Sequence, residues 1–292
     1  MLFPPRGLYS VPLASGRALE LGARPLVMGI LNITPDSFAD GASGLDIGRA
    51  IERALRMEAD GADILDIGGE STRPGAAPVP AAEELARVTP VLKALAPQLR
   101  IPMSIDTYKA DVARVALDLG AVMVNDVSGL RNEPALAGEV ARAGASLVLM
   151  HMRGRSRTMY AAAEYRDLVA EITGELRESL NIAEAAGVTA DRVIVDPGIG
   201  FAKQAAHSYG VLARLSEIAT ALDRPVLSGP SRKSFMREAL GDRPAVARDW
   251  GTAAAVTASI LGGAHIVRVH AVAEMVQVVR VAEEIRRNAA DS

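Results

Sequence analysis

The 292-residue sequence predicts an α/β protein built as a single-domain (β/α)8 TIM barrel. Three observations carry that expectation. Short Val-, Ile- and Leu-rich segments alternate with longer amphipathic ones, and the short segments number eight. They are apolar on both faces, as parallel strands covered by helices must be. The length also suits this fold, which commonly takes about 250 residues. A doubly wound open sheet is the poorer alternative.

Taken in order, the strand segments are PLVMGIL (25–31), DILDIG (63–68), IPMSID (101–106), AVMVND (121–126), SLVLMH (146–151), RVIVDP (192–197), PVLSG (225–229) and HIVRVH (265–270). Helical spacing of apolar residues, with Arg, Lys and Glu on the remaining face, marks 45–60, 80–95 and 163–187. Residues 1–24 form a lead-in hairpin or plug, and the barrel spans 25–288. The clearest loop signals, Gly41 to Gly44 and STRPGAAPVP (71–80), both follow strands.

Composition narrows the function. With 49% apolar and 23% charged residues the chain can build a large core. A net charge of -3 gives no general attraction to nucleic acid or to an anionic membrane surface, so neither partner is expected. The absence of cysteine rules out a thiol nucleophile and Cys-ligated metals, and it suits the cytoplasm. Pro4 and Pro5 interrupt the apolar run that a signal peptide needs. Trp250 to Val267 is sparsely charged but broken by polar residues and glycines, and reads as a buried helix followed by a strand.

In this fold the chemistry sits where strands end. Those ends supply Asn32, Gly68 to Glu70, Asp106, Asn125 with Asp126, His151, Asp196, Ser231 to Ser234, and Arg268 with His270. Asp106, Asn125 and Asp196 suit a flat heterocycle with a donor edge, because a buried unpaired donor costs about 1–3 kcal/mol. Arg73, Arg232, Lys233, Arg268 and His270 gather cations where barrels frequently bind phosphate. Arg268 lies within an apolar strand, where a charge needs a partner or ligand. Asn32 is a weak but suitable Mg2+ ligand, and without a carboxylate cage the ion would arrive with a phosphorylated substrate. Dinucleotide, Walker, G-x-S-x-G and H-E-x-x-H signatures are all absent. Anion handling without a nucleophile points to substrate positioning and stabilisation of a departing phosphate.

Seven runs, in order, resemble the dihydropteroate synthase family. They are GILNITPDSFADG (29–41), GADILDIGGESTRPGA (61–76), SIDTYK (104–109), VNDVSG (124–129), VIVDPGIGFAK (193–203), GPSRKSF (229–235) and RVH (268–270). The resemblance implies a (β/α)8 barrel that joins 6-hydroxymethyl-7,8-dihydropterin diphosphate to 4-aminobenzoate, releasing diphosphate with Mg2+ as cofactor. By the family's pattern Asp106, Asn125, Asp196 and Lys233 hold the pterin. Arg268 flanks the ring and binds diphosphate with His270, near Thr72 and Arg73.

Phe38, Pro74, Phe201 and Ser234 look like parts of the aminobenzoate pocket, and Asn32 like the magnesium-associated residue. The family mechanism resembles an SN1 displacement in which Asp40 stabilises a cationic methylene, and the family also implies a homodimer. One departure is Ala271, where many members carry an Asp that could orient the preceding histidine. A corrinoid-linked pterin methyltransferase is the runner-up, although it has no diphosphate to bind. A non-catalytic paralogue would be expected to lose Asn32, Asp196 or Lys233, and all three are present. His151, His207 and His265 read as structural, Glu70 as an anchor of the second loop, and Trp250 as packing.

Overall fold

The computed structural model describes residues 3–34, 46–73, 75–155 and 158–289. It opens with an antiparallel hairpin, β1 (Tyr9–Pro12) and β2 (Ala18–Leu21), which turns at Gly16 with a left-handed φ of 77°. Eight parallel strands follow, namely β3 (Leu26–Asn32), β4 (Ile64–Gly68), β5 (Met103–Asp106), β6 (Met123–Asp126), β7 (Ser146–Met150), β8 (Val193–Asp196), β9 (Leu227–Ser228) and β10 (Ile266–Val269). They pair in the order β8-β7-β6-β5-β4-β3-β10-β9. A bridge between Val195 and Val226 closes the ring, so the doubly wound sheet is set aside.

Helices return the chain between strands, chiefly α1 (Ile47–Ala59), α2 (Ala81–Leu95), α3 (Ala110–Asp118), α4 (Leu136–Ala143), α5 (Leu168–Ala185), α6 (Ala205–Ala213) and α7 (Leu215–Leu222). The short α8 (Arg237–Leu240) precedes α9 (Asp249–Leu261) and α10 (Val272–Asn288). Among the described residues no helix is long and apolar enough to cross a membrane.

Three elements differ from the sequence expectation for local reasons. β9 shrinks to two residues because Pro225 offers no N–H and the Val226 N–H is taken by His265 Nδ1 at 3.0 Å. α5 starts later than 163, where the Asp167 side chain caps the Ala170 N–H. Trp250 does not pack at all: it stands 90% exposed at the start of α9.

Strand side chains alternate with a period of two, which divides the barrel interior into layers. Met28, Ile64, Met123, Val148, Ile194, Leu227 and Ile266 form an apolar floor, joined by Val11, Leu13, Leu19 and Leu21 of the hairpin. Two residues further along the strands the inward positions turn polar, with Asp66, Asn125, Asp196 and Arg268. The plug therefore closes one end, and the polar layer faces the other.

Candidate active site

A cavity of about 410 Å³ opens at the C-terminal ends of the strands. It gathers Asn32, Thr72, Arg73, Asp106, Phe201, Lys233, Ser234, Arg268 and His270 from six strand-to-helix connections. Asn125 and Asp196 lie deeper, at 3% and 5% exposure, and are not on the cavity wall. Phe38, Asp40 and Pro74 lie outside the described residues.

Arg268 organises the floor. Its Nη2 donates to Asp106 Oδ2 and its Nε to Asp66 Oδ2, both at 2.6 Å. Burial opposes the guanidinium charge, but Asp66 and Asp106 outweigh it and raise its pKa. The other Asp106 oxygen is buried with no hydrogen-bond partner among the described residues, an acceptor awaiting a donor. Burial pushes Asp106 up to about 7 against the pull of Arg268. Burial likewise raises Asp196, whose Oδ1 accepts the Gly198 N–H at 2.7 Å. Gly198 is required there, because its φ is +70° and a Cβ would fall 2.0 Å from the His151 carbonyl oxygen.

Lys233 lies 3.5 Å above the Phe201 ring centre, a cation–π contact that ties the lysine to the wall beside it. Burial, then Arg268, lowers its pKa to about 7. Ser234 Oγ is 2.9 Å from the Tyr160 hydroxyl. Arg232 is less available than the sequence suggests, since Asp249 grips it through two bonds of 2.7 Å.

Ser231 orients His270. The serine Oγ accepts the His270 backbone N–H at 3.2 Å and lies 2.9 Å from Nδ1. With its hydroxyl proton turned to Nδ1, the neutral ring carries its own proton on Nε2 as a donor. Burial, then Arg232 and Arg268, holds the imidazole neutral by pulling its pKa down to about 2. The serine thus orients the ring in place of a carboxylate at position 271, but as a donor to Nδ1, where a carboxylate could only accept from the ring.

Sequence reasoning missed Asp66 and Lys203. Asp66 is fully buried and also accepts from Asn125 Nδ2 at 2.9 Å. The alternation Ile64, Asp66, Gly68 in DILDIG was the available signal, because it aims a carboxylate into the barrel. Lys203, 1% exposed, lies behind Phe201. Glu70 meets the Tyr108 hydroxyl at 3.1 Å and the Lys109 ammonium, which also binds Glu84, so it anchors the second loop. His151 contacts Lys203 and Glu175, and His265 bonds the lead-in segment at Gly7, both away from the cavity.

Among the described residues no three His, Cys, Asp or Glu side chains group as a metal cage. A single amide at Asn32 beside several cations suits a divalent ion only if phosphate oxygens complete its shell.

The family model for pterin binding enzymes matches residues 28–270. A dihydropteroate synthase of Synechocystis is 46% identical over 286 residues, covering 98% of this chain and 96% of that protein. Among solved structures, Xanthomonas albilineans dihydropteroate synthase with 4-aminobenzoic acid has a TM-score of 0.87 at 43% identity, covering 94% of this chain and 98% of that one. Burkholderia cenocepacia dihydropteroate synthase complexed with 7,8-dihydropteroate has a TM-score of 0.85 at 41% identity, covering 98% and 100%.

Proposed function

The chain belongs to the pterin-binding enzyme family, on its dihydropteroate synthase branch, and from that premise we propose how its site does the chemistry. The reaction joins 6-hydroxymethyl-7,8-dihydropterin diphosphate to 4-aminobenzoate, giving 7,8-dihydropteroate and diphosphate in folate biosynthesis. One observation carries the reading: one cavity has the orphaned Asp106 carboxylate oxygen at its base, beside Arg268, and gathers Arg73, Lys233 and His270 around it.

In this reading the donor edge of the pterin is taken by Asp106, Asn125 and Asp196, with Lys233 beside the ring. Arg268 exchanges its bond to Asp106 for the substrate, stacking on the pterin and reaching the diphosphate with His270, Thr72 and Arg73. A Mg2+ ion held by Asn32 and diphosphate oxygens would offset charge on the leaving group. The methylene C–O bond breaks with its electron pair leaving on diphosphate, and the Asp40 carboxylate is assigned the role of stabilising the resulting cation. The 4-aminobenzoate amine, seated by Phe38, Pro74, Phe201 and Ser234, attacks that carbon and then sheds a proton. An arylamine is unprotonated at neutral pH, so no strong general base is required.

A homodimer and a cytoplasmic location belong to the same proposal. Val281 and Ile285, exposed four residues apart on α10, form an apolar stripe that a second subunit would cover. The reading is tested by diphosphate release from the pterin substrate with Mg2+ and 4-aminobenzoate. No release with either the amine or water as acceptor overturns it.

A further inference from the structure

The segment 197–203, between β8 and α6, carries Phe201 to the cavity wall and is bent into costly conformations. Gly198 and Gly200 have φ of 70° and 79°, and Ala202, which has a Cβ, sits at 46°. A non-glycine residue there stores strain that the surroundings must hold. Two side chains grip this backbone from behind. Lys203 Nζ donates to the Phe201 carbonyl at 3.2 Å, and the Tyr165 hydroxyl donates to the Ala202 carbonyl at 2.9 Å.

Lys203 is itself tied to the scaffold. A lysine at 1% exposure needs partners, and its ammonium lies 2.8 Å from His151 Nδ1 at the end of β7. The opposite ring nitrogen, Nε2, lies 3.2 Å from Glu175 Oε2 on α5. Burial, then Lys203, pulls the His151 pKa down to about 3, so the ring is neutral. A neutral ring with its proton on Nε2 lies in electrostatic contact with the Glu175 carboxylate, without hydrogen-bond alignment, and leaves Nδ1 as an acceptor for Lys203. Glu175 is in turn held by Arg131 at 2.8 Å and by Arg153 Nε at 2.8 Å. The chain of contacts runs from α5 through β7 to Phe201, whose ring meets Lys233. None of Lys203, His151 or the half-buried Glu175 lines the cavity.

We propose that Lys203, anchored by His151 and Glu175, is a positioning residue that fixes Phe201 for capture of the arylamine substrate. The inference rests on the reading that Phe201 forms part of the aminobenzoate pocket. A lysine serving only to fill the core would affect stability without favouring one substrate. A lysine holding the Phe201 carbonyl acts on the amine side first, because the pterin acceptors Asp106 and Asn125 lie on other strands and Asp196 is held at the start of the segment by the Gly198 N–H, three residues before Phe201.

The test is Lys203→Met in the full-length protein, with two readouts. Steady-state kinetics should show KM for 4-aminobenzoate raised about tenfold or more while KM for the pterin diphosphate stays within about threefold. Amide hydrogen exchange should be about tenfold faster or more at 197–203 while α10 exchanges as in wild type. Unchanged kinetics with unchanged exchange, or an equal rise in both KM values, overturns the proposal. If Lys203→Met does not fold, His151→Gln removes the scaffold anchor and leaves the bond to Phe201. It should raise the aminobenzoate KM about threefold and quicken exchange at 197–203, and wild-type exchange there overturns the proposal. Should the wild-type protein fail to turn over, the functional reading fails and the exchange measurement alone decides the role of Lys203.

Discussion

Asp66 on β4 accepts a 2.9 Å hydrogen bond from Asn125 Nδ2 on β6, across the barrel interior. That bond sets which way the amide faces: one N–H points to Asp66, and in the proposed reading the oxygen takes a substrate donor. The same Asp66 oxygen accepts from Arg268 Nε, so one buried carboxylate orients both an acceptor and a cation. Replacing it by Asn removes the charge opposite Arg268 and weakens the preference for one amide orientation. Asp66→Asn should lower kcat/KM by about 100-fold, near 3 kcal/mol, chiefly through KM for the pterin substrate. Steady-state kinetics with each substrate varied in turn checks this.

Asp196 and Lys233 face each other's charge in a poorly solvated region, so removing either strands the other. Asp196→Asn and Lys233→Ala should each cost about 2–4 kcal/mol in kcat/KM, with the half-buried lysine toward the lower end. Near-normal kcat/KM in both variants would contradict the assigned pocket.

In the proposed reading Ser231 acts on diphosphate through His270, whose Nδ1 lies 2.9 Å from its Oγ. Ser231→Ala should reduce kcat/KM by about five- to tenfold, and adding it to His270→Ala should cost little more. A double-mutant cycle in which the two losses simply add would show that the serine works independently.

Acid should destabilise the fold through its buried imidazoles. Burial pulls the His265 pKa from 6.5 down to about 4, where Nε2 is 3.0 Å from the Gly7 carbonyl and Nδ1 accepts the Val226 N–H. Between pH 6.5 and 4 the unfolded chain takes up a proton that the folded ring refuses. Stability therefore falls as pH falls through that window and levels off below it, by on the order of 3 kcal/mol for this residue. Urea unfolding at pH 7.5, 5.5 and 4.5 reads the slope, which His265→Gln should flatten.

The repeat of apolar strand and amphipathic helix made the barrel legible, because each strand is buried on both faces and each helix on one. The strand-end residues were legible for the same geometric reason: Asn32, Asp106, Lys233 and Arg268 converge because the barrel directs all eight strand ends to one mouth. Asp66 was hidden by its place inside an apolar strand: the alternation of DILDIG aims it inward, and the pairing with Asn125 and Arg268 shows its use. Ser231 gave no signal for orienting His270, since the two are 39 residues apart and meet only once β10 lies beside β9. Trp250 misled because size and apolarity predict burial on average, while α9 places this ring outward.

Product identity tests the central claim most directly. Purified protein is incubated with 6-hydroxymethyl-7,8-dihydropterin diphosphate, 4-aminobenzoate and Mg2+, and the mixture is resolved by mass spectrometry alongside a diphosphate assay. The account predicts 7,8-dihydropteroate with at least an equal amount of diphosphate, the pteroate being abolished by omitting the amine and depressed by Asp196→Asn. Intact pterin diphosphate, or diphosphate release without any bond to 4-aminobenzoate, would contradict it.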